Sequence, residues 1–282
     1  MTRLSFSCRL AILCSLFFPV TGYSQQGDAE TLIAKAKELY NERSDTNKLR
    51  QAANILEEAN QKKADYQSLA LLSHAYYFLG EKTEDTDAKL AIHDRGVNAG
   101  ERALKLVNGD FAALSAEKKN YEEAIKKVNK DQIEALYWVA ANLARWMKFN
   151  SFGKKVSTKP KVLALWNRVK ELDSTYFYAG AFRFFGGYHA LAPSITGDND
   201  PVKAKNFFDI AMKTAPQYLE TKVLCAEAYC CHAKIKDRDL FKKLISEVLA
   251  TDLKQYPEIE AENRLAQEKA KKLLEKEGEL FE

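Results

Sequence analysis

Trp138, Asn142, Arg145 and Trp146 fall at spacings of 0, +4, +7 and +8 within Glu134–Trp146, which reads EALYWVAANLARW. On a helix of about 3.6 residues per turn, that spacing sets an amide, a guanidinium and two indoles on one face. Such a stripe suits a small carboxylate ligand, because arginine grips the anion through paired N–H donors while indoles cover its carbon frame. An ordinary core stripe with Arg145 reaching out to solvent has the same spacing. A second stretch, Tyr176–His189, sets eight aromatic or imidazole rings in fourteen residues around Arg183. Pro193 and a polar Gly197-Asp198-Asn199-Asp200 turn follow it. A helix apolar on most sides is either buried between neighbours or lines a cavity. In the second case Arg183, Tyr188, His189 and Pro193 are candidates to border a ligand.

Other chemistries lack their residues. His74, His93, His189 and His232 lie far apart, and none has a partner at metal-ligand spacing. There is no glycine-rich phosphate loop, nucleophile elbow or zinc-protease helix. Carboxylates are spread as solvated faces rather than paired for acid–base work. The sequence therefore points away from an enzyme and calls for no catalytic residue, metal or cofactor. Gly186-Gly187, inside a helical pattern, reads as a site of close helix packing. Cys225, Cys230 and Cys231 sit within seven residues of one expected helix. Positions five and six apart point away from each other on an α-helix, so the three read as buried small hydrophobes rather than a disulfide framework.

The elements that must carry these stripes are helical. The 282 residues include 12 glycines and 6 prolines, few enough to exclude linker-rich and many-turn β architectures. From Asp28 onward the apolar periodicity is that of helices, and no run alternates as a strand does. About twelve helices are expected, among them 66–80, 85–107, 112–128, 131–149, 159–172, 176–190, 201–214, 217–235, 238–253 and 257–277. Pro160, Pro201, Pro216 and Pro257 fall near expected helix starts, and Asp200 and Asp237 suit N-caps. Ala204, Phe208, Ala211 and Pro216 meet the small–large–small–proline spacing of the second helix of a tetratricopeptide unit. Ala52, Leu56 and Ala59 meet its first three positions, and Val162, Trp166 and Val169 keep the spacing with larger side chains. The fold class is therefore all-α: an irregular, tetratricopeptide-like stack of about twelve antiparallel helices.

Ahead of the stack, Arg3 and Arg9 precede a short apolar run, Leu10–Val20, with small residues at Gly22 and Ser24. This pattern reads as a secretory signal over 1–24, cut before Gln25, leaving one helical domain over 25–282. The remaining chain carries 41 basic against 39 acidic residues, spread along its length, and gives no electrostatic reason to bind nucleic acid.

Taken in order, several segments resemble the T-component proteins associated with TRAP transporters. They are the 134–146 helix with Tyr137-Trp138 and Asn142, then Leu172-Asp173-Ser174-Thr175-Tyr176, then Arg183, Gly186 and Pro193. Gly197-Asp198 leading into Ala204–Phe208, Ala215-Pro216 with Glu220-Thr221, and the end from Glu262-Asn263 through Leu273-Leu274 to Leu280-Phe281 continue the set. The resemblance covers roughly 45–282 and is clearest from 131. It implies a periplasmic, tetratricopeptide-like, non-catalytic protein that partners the solute-binding protein of an ion-gradient-driven importer, and through it the membrane permease. It also implies a homo-oligomer, a trimer among the options, with a mainly apolar cavity or channel in each protomer. Asn142, Trp146, Arg183, Tyr188 and Pro193 are carried over as motif matches only. Cys14 lacks the small residue before it that lipid attachment needs, a departure from lipid-anchored members.

The expected function is a non-enzymatic accessory role in solute uptake: docking the solute-binding protein and passing a small organic-acid or hydrophobic ligand through an internal cavity. Trp138, Asn142, Arg145, Trp146, Arg183, Tyr188, His189 and Pro193 are the expected cavity residues. The competing reading is a tetratricopeptide-type scaffold for cell-envelope assembly with no small-molecule role.

Overall fold

The computed structural model describes residues 21–117 and 120–282. Most of the export-signal segment, up to residue 20, lies outside the described residues. Among the described residues the regular elements are all helices and no strand occurs. In chain order they are α1 (Thr21–Asn41), α2 (Thr46–Lys62), α3 (Tyr66–Glu81), α4 (Thr86–Val107), α5 (Gly109–Ala116), α6 (Tyr121–Lys126) and α7 (Ile133–Phe149). The second half holds α8 (Phe152–Leu172), α9 (Tyr176–Leu191), α10 (Pro201–Thr214), α11 (Glu220–Cys225), α12 (Arg238–Ala250), α13 (Glu260–Glu275) and α14 (Glu277–Phe281). None of them is long and apolar enough to cross a membrane.

Aspartates start many of these helices. Asp45, Asp65, Asp85, Asp200 and Asp237 each accept a bond from a backbone N–H in the first turn of α2, α3, α4, α10 and α12. Such a cap satisfies a donor that the helix itself leaves unpaired. Short connections then fold consecutive helices back on one another, and α1 packs on α2, α3 on α4, α7 on α8 and α9 on α10. Small residues let the pairs approach. A Cβ on Gly186 of α9 would stand 2.8 Å from the Phe208 ring of α10, so the large side chain fills the space the glycine leaves. Ala204, Phe208 and Ala211 are fully buried, as are Ala52, Leu56 and Ala59.

The stack closes on itself through α13. Ala261 and Leu265 join the apolar cluster of α1–α4, whereas Ala266 and Ala270 join that of α9–α14. Arg43, just after α1, reaches α13 with two bonds to the Glu262 carboxylate, 3.0 and 2.8 Å, and a third to the Glu258 carbonyl at 3.0 Å.

Four local expectations are corrected. The helix read over 112–128 is two, α5 and α6: α5 starts earlier, capped by Asn108 at Phe111, and ends where the backbone turns extended at Glu117 (φ −92°, ψ 106°). α8 begins at Phe152, so Pro160 lies inside it rather than at its start, leaving the carbonyl one turn earlier without its helical partner. The 217–235 segment is α helix only to Cys225, then one turn of π-helix over Ala226–Cys230. Finally, the first turn of α9 is left-handed, with φ of 43°, 57° and 57° at Phe177, Tyr178 and Ala179.

Candidate functional site: a hollow along three helices

α7, α8 and α9 each turn one stripe toward a common hollow of about 240 Å³. From α7 come Tyr137, Ala141, Ala144, Arg145 and Lys148, and from α8 Phe152, Lys155, Val156, Lys159 and Trp166. From α9 come Gly180, Arg183, Phe184, Gly187, Tyr188 and Leu191, a run of about 16 Å at 1.5 Å per residue. Pro193, Thr196 and Asp198 of the following loop, with Tyr77, Glu220 and Leu224, complete the wall. Ala141 and Ala144 present little bulk to it, and Gly180 and Gly187 make room for Tyr137 and Leu224 of the wall.

Two arginines border it, and their surroundings differ. Arg145 donates from Nη2 to Glu81 at 2.9 Å and to Glu220 at 3.4 Å, while Lys269 of α13 bonds the same two carboxylates at 2.7 and 2.9 Å. Two cations and two anions cancel. Burial alone would raise the Glu81 carboxyl, but the Arg145 and Lys269 charges outweigh it and hold the group well below the usual carboxylate range.

Arg183 has no such partner. Its Nη1 donates to the Tyr178 carbonyl at 3.0 Å, and Nη2 donates to Tyr137 Oη at 3.0 Å and to the Phe177 carbonyl at 3.5 Å. Its guanidinium lies 4.3 Å from the centre of the Tyr218 ring, and no carboxylate among the described residues forms an ion pair with it. The left-handed turn supplies the two carbonyls. Each left-handed residue costs roughly 1–2 kcal/mol for an L-amino acid. Here that strain is offset by packing, with Phe177 edge-on to Trp138 at 4.7 Å and Tyr178 stacked on Tyr218 at 5.1 Å. Burial pushes the Tyr137 hydroxyl up to about 12, the Arg183 charge opposing the rise, so at neutral pH it keeps its proton. Accepting from Arg183, Tyr137 retains that proton to donate. A buried guanidinium with unused N–H groups beside a phenolic donor has the chemistry to receive a carboxylate. Trp166, stacked on Phe184 at 4.7 Å, offers an apolar surface, and its buried Nε1 has no hydrogen-bond partner.

Of the eight residues singled out from the sequence, Arg145, Arg183, Tyr188 and Pro193 line this hollow. Trp138 is buried instead against His74, ring centres 3.5 Å apart, beside a much smaller void of about 20 Å³. Asn142 clamps three helices: it donates to the Ser73 and Trp138 carbonyls at 2.9 Å and pairs with His93 Nδ1 at 3.0 Å. A Cβ on Gly96 would fall 2.4 Å from Asn142, which explains the glycine. Trp146 packs at the edge of the core, and His189 bonds the Asp198 carbonyl through Nδ1 at 2.9 Å and lies parallel to Phe207. The inward stripe of α7 is thus one residue out of phase with 138/142/146, sharing only Arg145. Tyr137, Trp166 and Glu220 were not anticipated. The signal that could have found the wall was the small-residue set, Ala141, Ala144, Gly180 and Gly187.

Among the described residues no group of three or more His, Cys, Asp or Glu side chains is placed to hold a metal ion. Compared with known families, the chain matches the family model described as TRAP transporter T-component over residues 73–281, about three quarters of its length. No curated protein matches it.

Proposed function

The chain belongs to the TRAP transporter T-component family, and on that premise we propose that it binds a small carboxylate with an apolar body and hands it to or from a solute-binding protein. Membership gives it an accessory role in a TRAP transporter. Catalysis forms no part of the reading. The observation that carries it is the combination of an apolar hollow with Arg183, a buried cation held only by neutral groups. A ligand carboxylate would take the remaining guanidinium N–H groups and the Tyr137 proton, while Trp166, Phe184 and Leu191 cover its carbon frame.

Hand-over needs a partner over the mouth, and the rim suits one. Phe152, Val156, Leu191 and Ile195, at the mouth or beside it, are all roughly half exposed or more. A cluster of exposed apolar side chains beside a cavity marks an interaction surface rather than ordinary surface scatter. In this reading residues 1–24 direct export, 25–282 work as one unit in the periplasm, and the protein is a homo-oligomer.

Calorimetry with octanoate and with octanol tests the ligand class. Saturable heat from octanoate and at least tenfold weaker binding of octanol are expected; equal affinities would remove the carboxylate from the proposal. Co-purification from periplasmic extract tests the partner. Recovery of a solute-binding protein is expected, and recovery of envelope-assembly proteins alone would favour the scaffold reading.

A further inference from the structure

The π-turn at the end of α11 changes what its cysteines can do. Along an α-helix, residues five apart are separated by about 7.5 Å of rise and 140° of rotation, which puts their Cα atoms about 8.6 Å apart. A disulfide requires less than about 7 Å, so an α-helical Cys225 and Cys230 could not be bridged. Ala226–Cys230 forms a π-helical turn, in which each N–H bonds the carbonyl five residues back and the chain advances less per turn. Cys230 is thereby brought over Cys225, and both side chains are fully buried in one apolar cluster. The two thiols are neighbours: Cys230 keeps its proton beside the Cys225 sulfur, which together with burial pushes its thiol far up. Cys231 faces elsewhere, its thiol bonding the Ala226 carbonyl at 3.3 Å in a half-buried position.

We propose that Cys225 and Cys230 are a disulfide-forming pair whose bond fixes this π-turn and, through it, one wall of the hollow. The chemistry is thiol–disulfide exchange with a small-molecule or protein disulfide. One thiolate attacks the oxidant's sulfur and expels a thiolate. The second thiolate then attacks the mixed disulfide and expels the other, so the oxidant takes two electrons and two protons. Because both sulfurs are dry in the folded protein, the bond closes as the chain folds. The bridge encloses only four residues, so it acts locally and constrains little of the unfolded chain. Its neighbours give the local effect meaning. Leu224, adjacent to Cys225, lines the hollow and packs where a Cβ on Gly187 would stand 3.1 Å away, and Glu220 one turn earlier belongs to the Arg145 network. An α-helical turn in place of the π-turn would shift the register of everything between Cys230 and the Asp237 cap by one residue.

The test is to fold the full chain in a buffer of oxidised and reduced glutathione, denature it without reductant, alkylate and digest with trypsin. The peptide Val223–Lys234 carries all three thiols and none of the other cysteines. It is expected two hydrogens light, with one alkyl group, on Cys231. Cys231→Ser keeps the two-hydrogen deficit, whereas Cys225→Ser and Cys230→Ser each abolish it. Three alkylated thiols in the wild-type peptide, or a deficit lost in Cys231→Ser, would overturn the proposal. The wild-type measurement decides the matter even if a variant fails to fold, and neither outcome depends on ligand binding.

Discussion

Arg145 and Arg183 stand on the same hollow, one on α7 and one on α9, and are surrounded in opposite ways. Arg145 meets two carboxylates that Lys269 shares, so its charge is answered within the protein. Arg183 is held by two carbonyls, a phenol and an aromatic face, none of which carries negative charge at neutral pH. A saturated buried arginine ties α3, α7, α11 and α13 together and has little left to offer a ligand. An arginine fixed in place by neutral groups keeps both its charge and part of its donor set for something else. The lesson is to judge a buried arginine by what its guanidinium lacks.

The largest test of that contrast is Glu81→Gln, which leaves Arg145 and Lys269 with Glu220 alone. Removing one member of a buried charge group costs several kcal/mol, and a loss of about 3 kcal/mol in urea unfolding is expected with octanoate affinity little changed. The same residue sets an acid dependence. The folded-state pKa of Glu81 is depressed, so its stabilisation is complete above the unfolded-state value of about 4.3 and is lost as pH falls below that toward the folded value. Unfolding free energy measured from pH 7 down to pH 3 should therefore fall less steeply in Glu81→Gln than in the wild type. A parallel pair of curves would break the reading of Arg145 as saturated.

Arg183→Met is expected to reverse the pattern, weakening octanoate by more than tenfold, or about 1.4 kcal/mol and upward, while leaving octanol unchanged. An equal loss for both would mean that Arg183 only holds the left-handed turn. Gly180→Ala is a smaller perturbation of the same wall. Its Cβ would lie 2.4 Å from Tyr137 Oη, so Tyr137 must move off Arg183, at a cost of about 1–3 kcal/mol in stability together with weaker octanoate binding. Smallest of all is Phe152→Ser on the rim. Its stability should stay within about 0.5 kcal/mol of wild type, while recovery of a solute-binding protein in pull-down falls.

Much of the scaffold was legible from residues. Asp200 and Asp237 marked helix starts because a cap is a local bond, made within one turn of chain. The Ala204, Phe208, Ala211 spacing marked a buried face, since periodicity reports burial wherever a helix is regular. The candidate site was half legible. Arg145, Arg183, Tyr188 and Pro193 do border the hollow, but the 138/142/146 stripe pointed to a face that turns into the core. Large and polar side chains drew attention there, whereas the face toward the hollow carries the small Ala141 and Ala144.

The sequence alone determined the helical class, most helix boundaries and the family resemblance, because each rests on local spacing, capping or ordered motifs. Tertiary structure decided which face of α7 turns inward, the left-handed turn at Phe177–Ala179 and the π-turn that brings Cys225 to Cys230. Both irregular turns are disfavoured for an isolated chain. Each persists only where distant groups offset its cost: Trp138 and Tyr218 for the first, and the packing of α11 against α9, α12 and α13 for the second. No local pattern encodes contacts between residues so far apart in the chain.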